Sequence, residues 1–153
     1  MASGLLDAGA SRAADFGRWQ TSPSRCQWQR SPSRLWFDCQ GVRLEQNLEG
    51  QLSVRFLADG LRAPIALEHL VFAGALEQGQ VAMRCDREGS CQPLWPARLT
   101  VATVAAASFD QRGLALGVPH TRLARGHCQL ERGLVRCQAW GRGGEQWIAE
   151  ASL

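Results

Sequence analysis

Six cysteines constrain this chain more than any other feature, because they fall as three close pairs and each pair brackets a tight turn. Cys26 and Cys39 flank Pro32-Ser33, Cys85 and Cys91 flank Arg87-Glu88-Gly89, and Cys128 and Cys137 flank Arg132-Gly133. Folded back as antiparallel hairpins, the three segments bring the cysteines of each pair opposite one another. Around Arg132-Gly133 the register sets Glu131 opposite Leu134, Leu130 opposite Val135, Gln129 opposite Arg136 and Cys128 opposite Cys137. Alternation along the strand then puts both cysteines on one face with Leu130 and Val135. Glycine in second place suits a two-residue type I′ turn. Around Pro32-Ser33 the same construction sets Trp28 opposite Phe37, on the face of Cys26 and Cys39. Gly89 supplies the left-handed residue that a three-residue hairpin loop requires. Opposed strand residues stand roughly 4.5–5.5 Å apart at Cα, within disulfide reach. Closing each short loop stabilises by about 2.5–3 kcal/mol in the loop-entropy model.

Two other readings of the cysteines compete. Zinc knuckles use C-x2–4-C spacing, whereas here twelve, five and eight residues separate the partners, and no C-x-x-C motif is present. Free buried thiols in a reducing compartment are the second rival, open to alkylation and mass spectrometry. Three hairpins in three favour disulfides, hence an oxidising, extracytoplasmic setting, periplasmic or at the cell surface. Residues 1–20 carry neither a basic start nor a long apolar run, so a leader or anchor is expected to lie outside the chain given. The greasiest stretch, Leu99 to Ala107, is too short to span a bilayer and contains two threonines.

At 153 residues the chain is expected to be one domain, 1–153, with a helical N-terminal segment (1–17) and a β-rich body (18–153). The fold class expected is mainly β (α+β): a short N-terminal helix followed by antiparallel sheet built from disulfide-bridged hairpins. The helix rests on Leu5, Leu6, Ala13 and Phe16 as one apolar stripe, Ser3 as cap and Gly17 as stop. From Trp19 onward short apolar runs alternate with glycine turns. The expected strands include Val42 to Leu48, Gln51 to Leu57, Ile65 to Phe72, Gln80 to Arg84, Ala97 to Ala105, Gly113 to Val118 and Gln146 to Ala151. Leu67-Glu68-His69-Leu70 reads alternatively as a helical turn.

Catalytic signals are thin. His127 adjoins Cys128, but strand neighbours point to opposite faces, which sets up no Cys–His dyad. His69, His120 and His127 read as ordinary surface or loop histidines, with no carboxylate cluster to complete a metal site. No serine lies in a G-x-S-x-G elbow, and the acidic residues are scattered singly. The expectation is therefore a non-enzyme with no catalytic residue, metal or cofactor.

Charge gives the functional lead. All seventeen basic residues are arginine, and residues 111–142 carry +5 of the net +3, leaving −2 for the remainder. Guanidinium groups bind phosphate through paired hydrogen bonds, and arginine or tryptophan planes stack on bases. Arg122, Arg125, Arg132, Arg136, Arg142 and Trp140 are the candidate contacts for DNA or another polyanion. Arg132 should sit at a hairpin tip and Arg142 in the Gly141-Arg142-Gly143-Gly144 loop, beside Trp140 and Trp147.

Two resemblances sharpen this. A short N-terminal helix, an all-β body and a disulfide hairpin near the C-terminus resemble the globular part of type IV pilins and minor pseudopilins. Ser108-Phe109-Asp110-Gln111-Arg112-Gly113-Leu114 is similar to their strand-turn-strand, and Gly141-Arg142-Gly143 to the glycine-arginine loop of minor pilins associated with DNA uptake. That resemblance implies a structural or binding subunit whose partners are pilus or envelope proteins and DNA; the long apolar filament helix and its processing site are absent from the chain given. Separately, Gly17-Arg18-Trp19 resembles the opening G-x-W of lipocalin-like barrels, which implies a small apolar ligand held inside.

Overall fold

The computed structural model describes residues 16–46 and 50–153. The expected helix lies outside the described residues except for Phe16 and Gly17. Gly17 opens a strand, and the described residues contain no helix. They form strands β1 (Gly17–Thr21), β2 (Arg25–Arg30), β3 (Phe37–Asp38), β4 (Gly41–Gln46), β5 (Gln51–Asp59) and β6 (Leu67–Leu76). The chain continues with β7 (Met83–Cys85), β8 (Cys91–Pro93), β9 (Ala97–Phe109), β10 (His120–Glu131), β11 (Leu134–Gly141) and β12 (Gln146–Ser152).

One antiparallel sheet runs in the order β1-β4-β5-β6-β9-β10-β11-β12-β2-β3, and β7 pairs only with β8. The sheet closes on itself through chain continuity. β3 and β4 are successive stretches of one segment, yet β3 pairs with β2 while β4 pairs with β1 and β5. At their junction the Cys39 N–H donates to Cys26 O (3.0 Å) and the Gln40 N–H donates to Leu57 O (2.7 Å), one to each side. β1 and β2 lie in the same way along the facing edge. Counted as continuous strands, β1/β2, β3/β4, β5, β6, β9, β10, β11 and β12 make an eight-stranded up-and-down barrel, closed where β12 pairs with β2.

A barrel of eight strands is just wide enough for side chains to fill. Phe56, Phe72, Leu44, Leu52, Leu70, Leu99 and Leu130 do so, each less than 2% exposed, with Phe56 edge-on to Phe72. Register shows how bulk and smallness alternate around the wall. Cys128 faces Cys137, Cys137 faces Ala149, Ala149 faces Trp28 and Trp28 faces Phe37. The alanine leaves room for the indole beside it. Replacing Ala149 with a larger residue would collide with that packed row.

All three disulfides are present, Cys26–Cys39, Cys85–Cys91 and Cys128–Cys137, with Cα separations of 4.9, 3.9 and 4.0 Å. The Arg132-Gly133 and Pro32-Ser33 registers are those the turns dictate. The third hairpin, β7–β8, plugs one end of the barrel. Met83 is fully buried there, and Gln46 clamps it by two hydrogen bonds: Met83 N–H to Oε1 (3.0 Å) and Nε2 to Met83 O (3.1 Å). Arg18 N–H donates to Gly89 O (2.9 Å), and a Cβ on Gly17 (φ +148°) would lie 2.5 Å from that oxygen. Only glycine tolerates this approach. Trp19 packs edge-on against Trp95 in the same plug.

Several expectations need correction. Leu67–Leu70 is strand, not a helical turn, because it opens β6 between β5 and β9. Gly113–Val118 is not a full strand. Its only pairing is an isolated bridge between Phe109 and Ala115, since the Asp110 carboxylate accepts the Arg112 and Leu114 N–H groups and winds the segment into a turn. His120 opens β10 rather than lying in a loop.

Candidate polyanion-binding face

From Ala124 onward β10 alternates between core and solvent, and β11 alternates along its length. Gly126, Cys128 and Leu130 face inward, so Arg125, His127 and Gln129 emerge on the outer wall, opposite Trp140, Gln138 and Arg136. A register shift against β9 between Leu123 and Gly126 bends this wall. A second shift, between β9 and β6, falls beside it at Ala73/Gly74. At the bend opens a groove of about 500 Å³, lined by Ala102, Leu123, Arg125, Trp140 and Arg142, together with Ala124 and Gly141. A smaller hollow of about 250 Å³ lies on the same wall between His127, Gln129, Arg136 and Gln138.

Four of the six candidates therefore share one face: Arg125, Arg136, Arg142 and Trp140, whose indole is 45% exposed. Among the described residues none of these arginines has a carboxylate within 4 Å; the ion pairs present involve Arg43, Arg55, Arg98 and Arg112. Glu150 stands opposite Arg136 in register but accepts a hydrogen bond from Gln27 (3.1 Å). Two candidates lie apart. Arg132 sits in the β10–β11 turn, about 20 Å along the strand from Arg125. Arg122 pairs with the inward-facing Val104, so it leaves the strand on the other side, near the open end of the barrel. Trp147, expected beside Arg142, is 8% exposed and part of the core.

Sequence reading missed a buried histidine on the far wall. His69 is 6% exposed, not a surface residue, and its ring lies 4.5 Å from that of Phe109. Arg55 Nη1 lies 2.9 Å from His69 Nδ1. A guanidinium only donates, so Nδ1 accepts and the ring proton resides on Nε2. That Nε2 is buried without a hydrogen-bond partner among the described residues. Arg55 Nε is an ion-pair neighbour of Glu45 at 3.3 Å, though without hydrogen-bond geometry. Burial first, then the charges of Arg55 and Arg43, lower the His69 pKa to about 4. The cue in sequence was the apolar run that follows, Leu70-Val71-Phe72, which is buried on both faces.

The end of the barrel opposite the plug is open. There a cavity of about 330 Å³ is lined by Trp28, Arg30, Glu68 and His120 among others. Among the described residues no three His, Cys, Asp or Glu side chains gather as metal ligands. Fold and face together describe a closed, disulfide-bridged antiparallel barrel with a basic outer wall. No family model, curated protein or solved structure matches the chain.

Proposed function

We propose that the protein is a non-catalytic, extracytoplasmic binding barrel whose β10–β11 face takes an anionic polymer, with DNA as the first candidate. The observation that carries this is the convergence of Arg125, Arg142 and Trp140 on one groove, the guanidinium groups free of carboxylates among the described residues. Three internal disulfides support the oxidising location. Arginines would hold phosphates while the indole stacks on an unpaired base.

The test is retention on heparin and on single-stranded DNA as salt is raised. Each phosphate-contacting arginine removed, by R125A or R142A, should lower the slope of log K against log salt by about 0.7–0.9. W140A should weaken single-stranded DNA about fivefold or more, and heparin, which has no bases, hardly at all. No retention on either matrix at low salt overturns the reading.

The narrower form, a minor pilin-like subunit, draws support from the Cys128–Cys137 hairpin and the Gly141-Arg142-Gly143 loop that follows it. A long apolar helix encoded upstream of Met1 would favour it. A second reading, a lipocalin-like barrel with a small apolar ligand, is favoured by the eight-stranded closure and by Trp19 at the plugged end. Its ligand would enter the mouth cavity beside Trp28. Stoichiometric quenching of tryptophan emission by an apolar probe, abolished by A106W at the cavity wall, would support it.

A further inference from the structure

The up-and-down order places four connections at the open mouth: residues 31–36, 60–66, 110–119 and 142–145. Hydrogen bonds tie the first of them to the start of β12 and the second to the end of β9. Ser31 N–H donates to Gln146 O (2.8 Å), Gln146 N–H donates to Ser31 Oγ (3.0 Å), and Ala66 N–H donates to Phe109 O (2.8 Å). An eight-stranded ring of this kind is about 16 Å across, so all four tips share one rim.

The same chemistry recurs on three of the tips: Arg34 precedes Leu35-Trp36, Leu61 precedes Arg62, and Arg112 lies two residues before Leu114, while the fourth tip carries Arg142. The apolar members are exposed. Val118 (85%), Leu61 (83%) and Leu35 (69%) are the three most exposed large apolar side chains among the described residues, and they stand on three different mouth loops. Trp36, Leu114 and Leu116 are exposed beside them. Within the four loops only Asp110 and Glu145 are acidic, and both are engaged: Asp110 with Arg112 (3.1 Å) and nearby N–H groups, Glu145 with the Gly143 N–H (3.2 Å). Arg34, Arg62 and Arg142 have no carboxylate within 4 Å among the described residues.

We propose that this mouth docks on an anionic lipid surface, the apolar tips entering the headgroup region and the arginines meeting lipid phosphates. Isolated apolar residues on a surface need no explanation, but a ring of them at one end, each with its own arginine, does. Charge complementarity selects the occupant. A purely apolar partner would leave the guanidinium groups of Arg34, Arg62 and Arg142 unmatched, whereas a bilayer interface offers phosphate and hydrocarbon at adjacent depths. Tryptophan at the rim suits that boundary. The proposal stands apart from the groove reading, since it depends on Leu35, Leu61 and Val118, which do not line the groove.

Sedimentation with phosphatidylglycerol–phosphatidylcholine vesicles tests it on the full chain. Binding should exceed that to phosphatidylcholine alone, weaken with salt, and be accompanied by a blue shift of tryptophan emission. R34A and R62A should each lower the partition coefficient about fivefold. L61E/V118E should lower it more than tenfold while leaving heparin retention intact, whereas V81E at the plugged end should leave vesicle binding unchanged. Absence of binding to anionic vesicles at low salt overturns the proposal. So does binding that survives L61E/V118E, which would mark attraction by charge alone. A dimer that L61E/V118E dissociates, with no vesicle binding, would assign the tips to a second copy and overturn it equally.

Discussion

His69 makes the stability of this barrel depend on pH in a way that can be calculated. Its pKa falls from the ordinary value of 6.5 to about 4 on folding, chiefly by burial and then by Arg55 and Arg43. Between those values the unfolded chain binds a proton that the folded chain refuses. Stability is therefore full above pH 6.5, declines as pH falls, and levels off below pH 4. At pH 5 the loss relative to pH 8 is about 2 kcal/mol, approaching about 3 kcal/mol at the plateau. For a chain of this size about 2 kcal/mol corresponds to about 4–8 °C in Tm. Thermal melts at pH 8 and pH 5 on the wild type and on H69Q isolate the effect, because the carboxylates are common to both. H69Q should lose most of the His69-linked drop, whereas H127Q, at an exposed position, should keep it. Equal pH dependence in wild type and H69Q, or an NMR titration midpoint for His69 between 6 and 7, would refute the reasoning.

Two further outcomes test the architecture. C128A/C137A opens a bridge spanning nine residues, which should lower stability by about 2.5–3 kcal/mol in urea titrations, with the hairpin register unchanged by amide exchange. Q46L removes both hydrogen bonds to the buried Met83 backbone and should cost about 2–4 kcal/mol, with selective loss of amide protection across β7–β8.

Much of the local structure was legible because its causes are local. The turn at Arg132-Gly133 and the spacing of Cys128 and Cys137 suffice to set one hairpin's register. Alternation in Gln146–Ser152 suffices to say that Trp147, Ala149 and Ala151 share a face. Which face is the core is not legible there, because both faces of Gln146–Ser152 carry apolar residues. The return strand at 113–118 failed for another: its apolar residues fit the pattern, but the Asp110 carboxylate captures the N–H groups that would have begun a ladder. His69 failed because a histidine next to an apolar run gives no sign that Arg55, fourteen residues earlier, will cover it.

What the sequence by itself determined is the set of three disulfide hairpins, their registers and the arginine-rich character of the last third. Tertiary structure alone decided that β12 returns to β2 and closes a barrel, because closure depends on twist and register shifts accumulated over the whole wall. It decided which of Arg122 and Arg125 faces inward, since alternation along a strand sets them on opposite faces but only closure makes one face the inside. It also gathered Arg34, Leu61, Val118 and Arg142 on one rim. Those residues are scattered along the chain, and an even number of strands between them returns each connection to the same end.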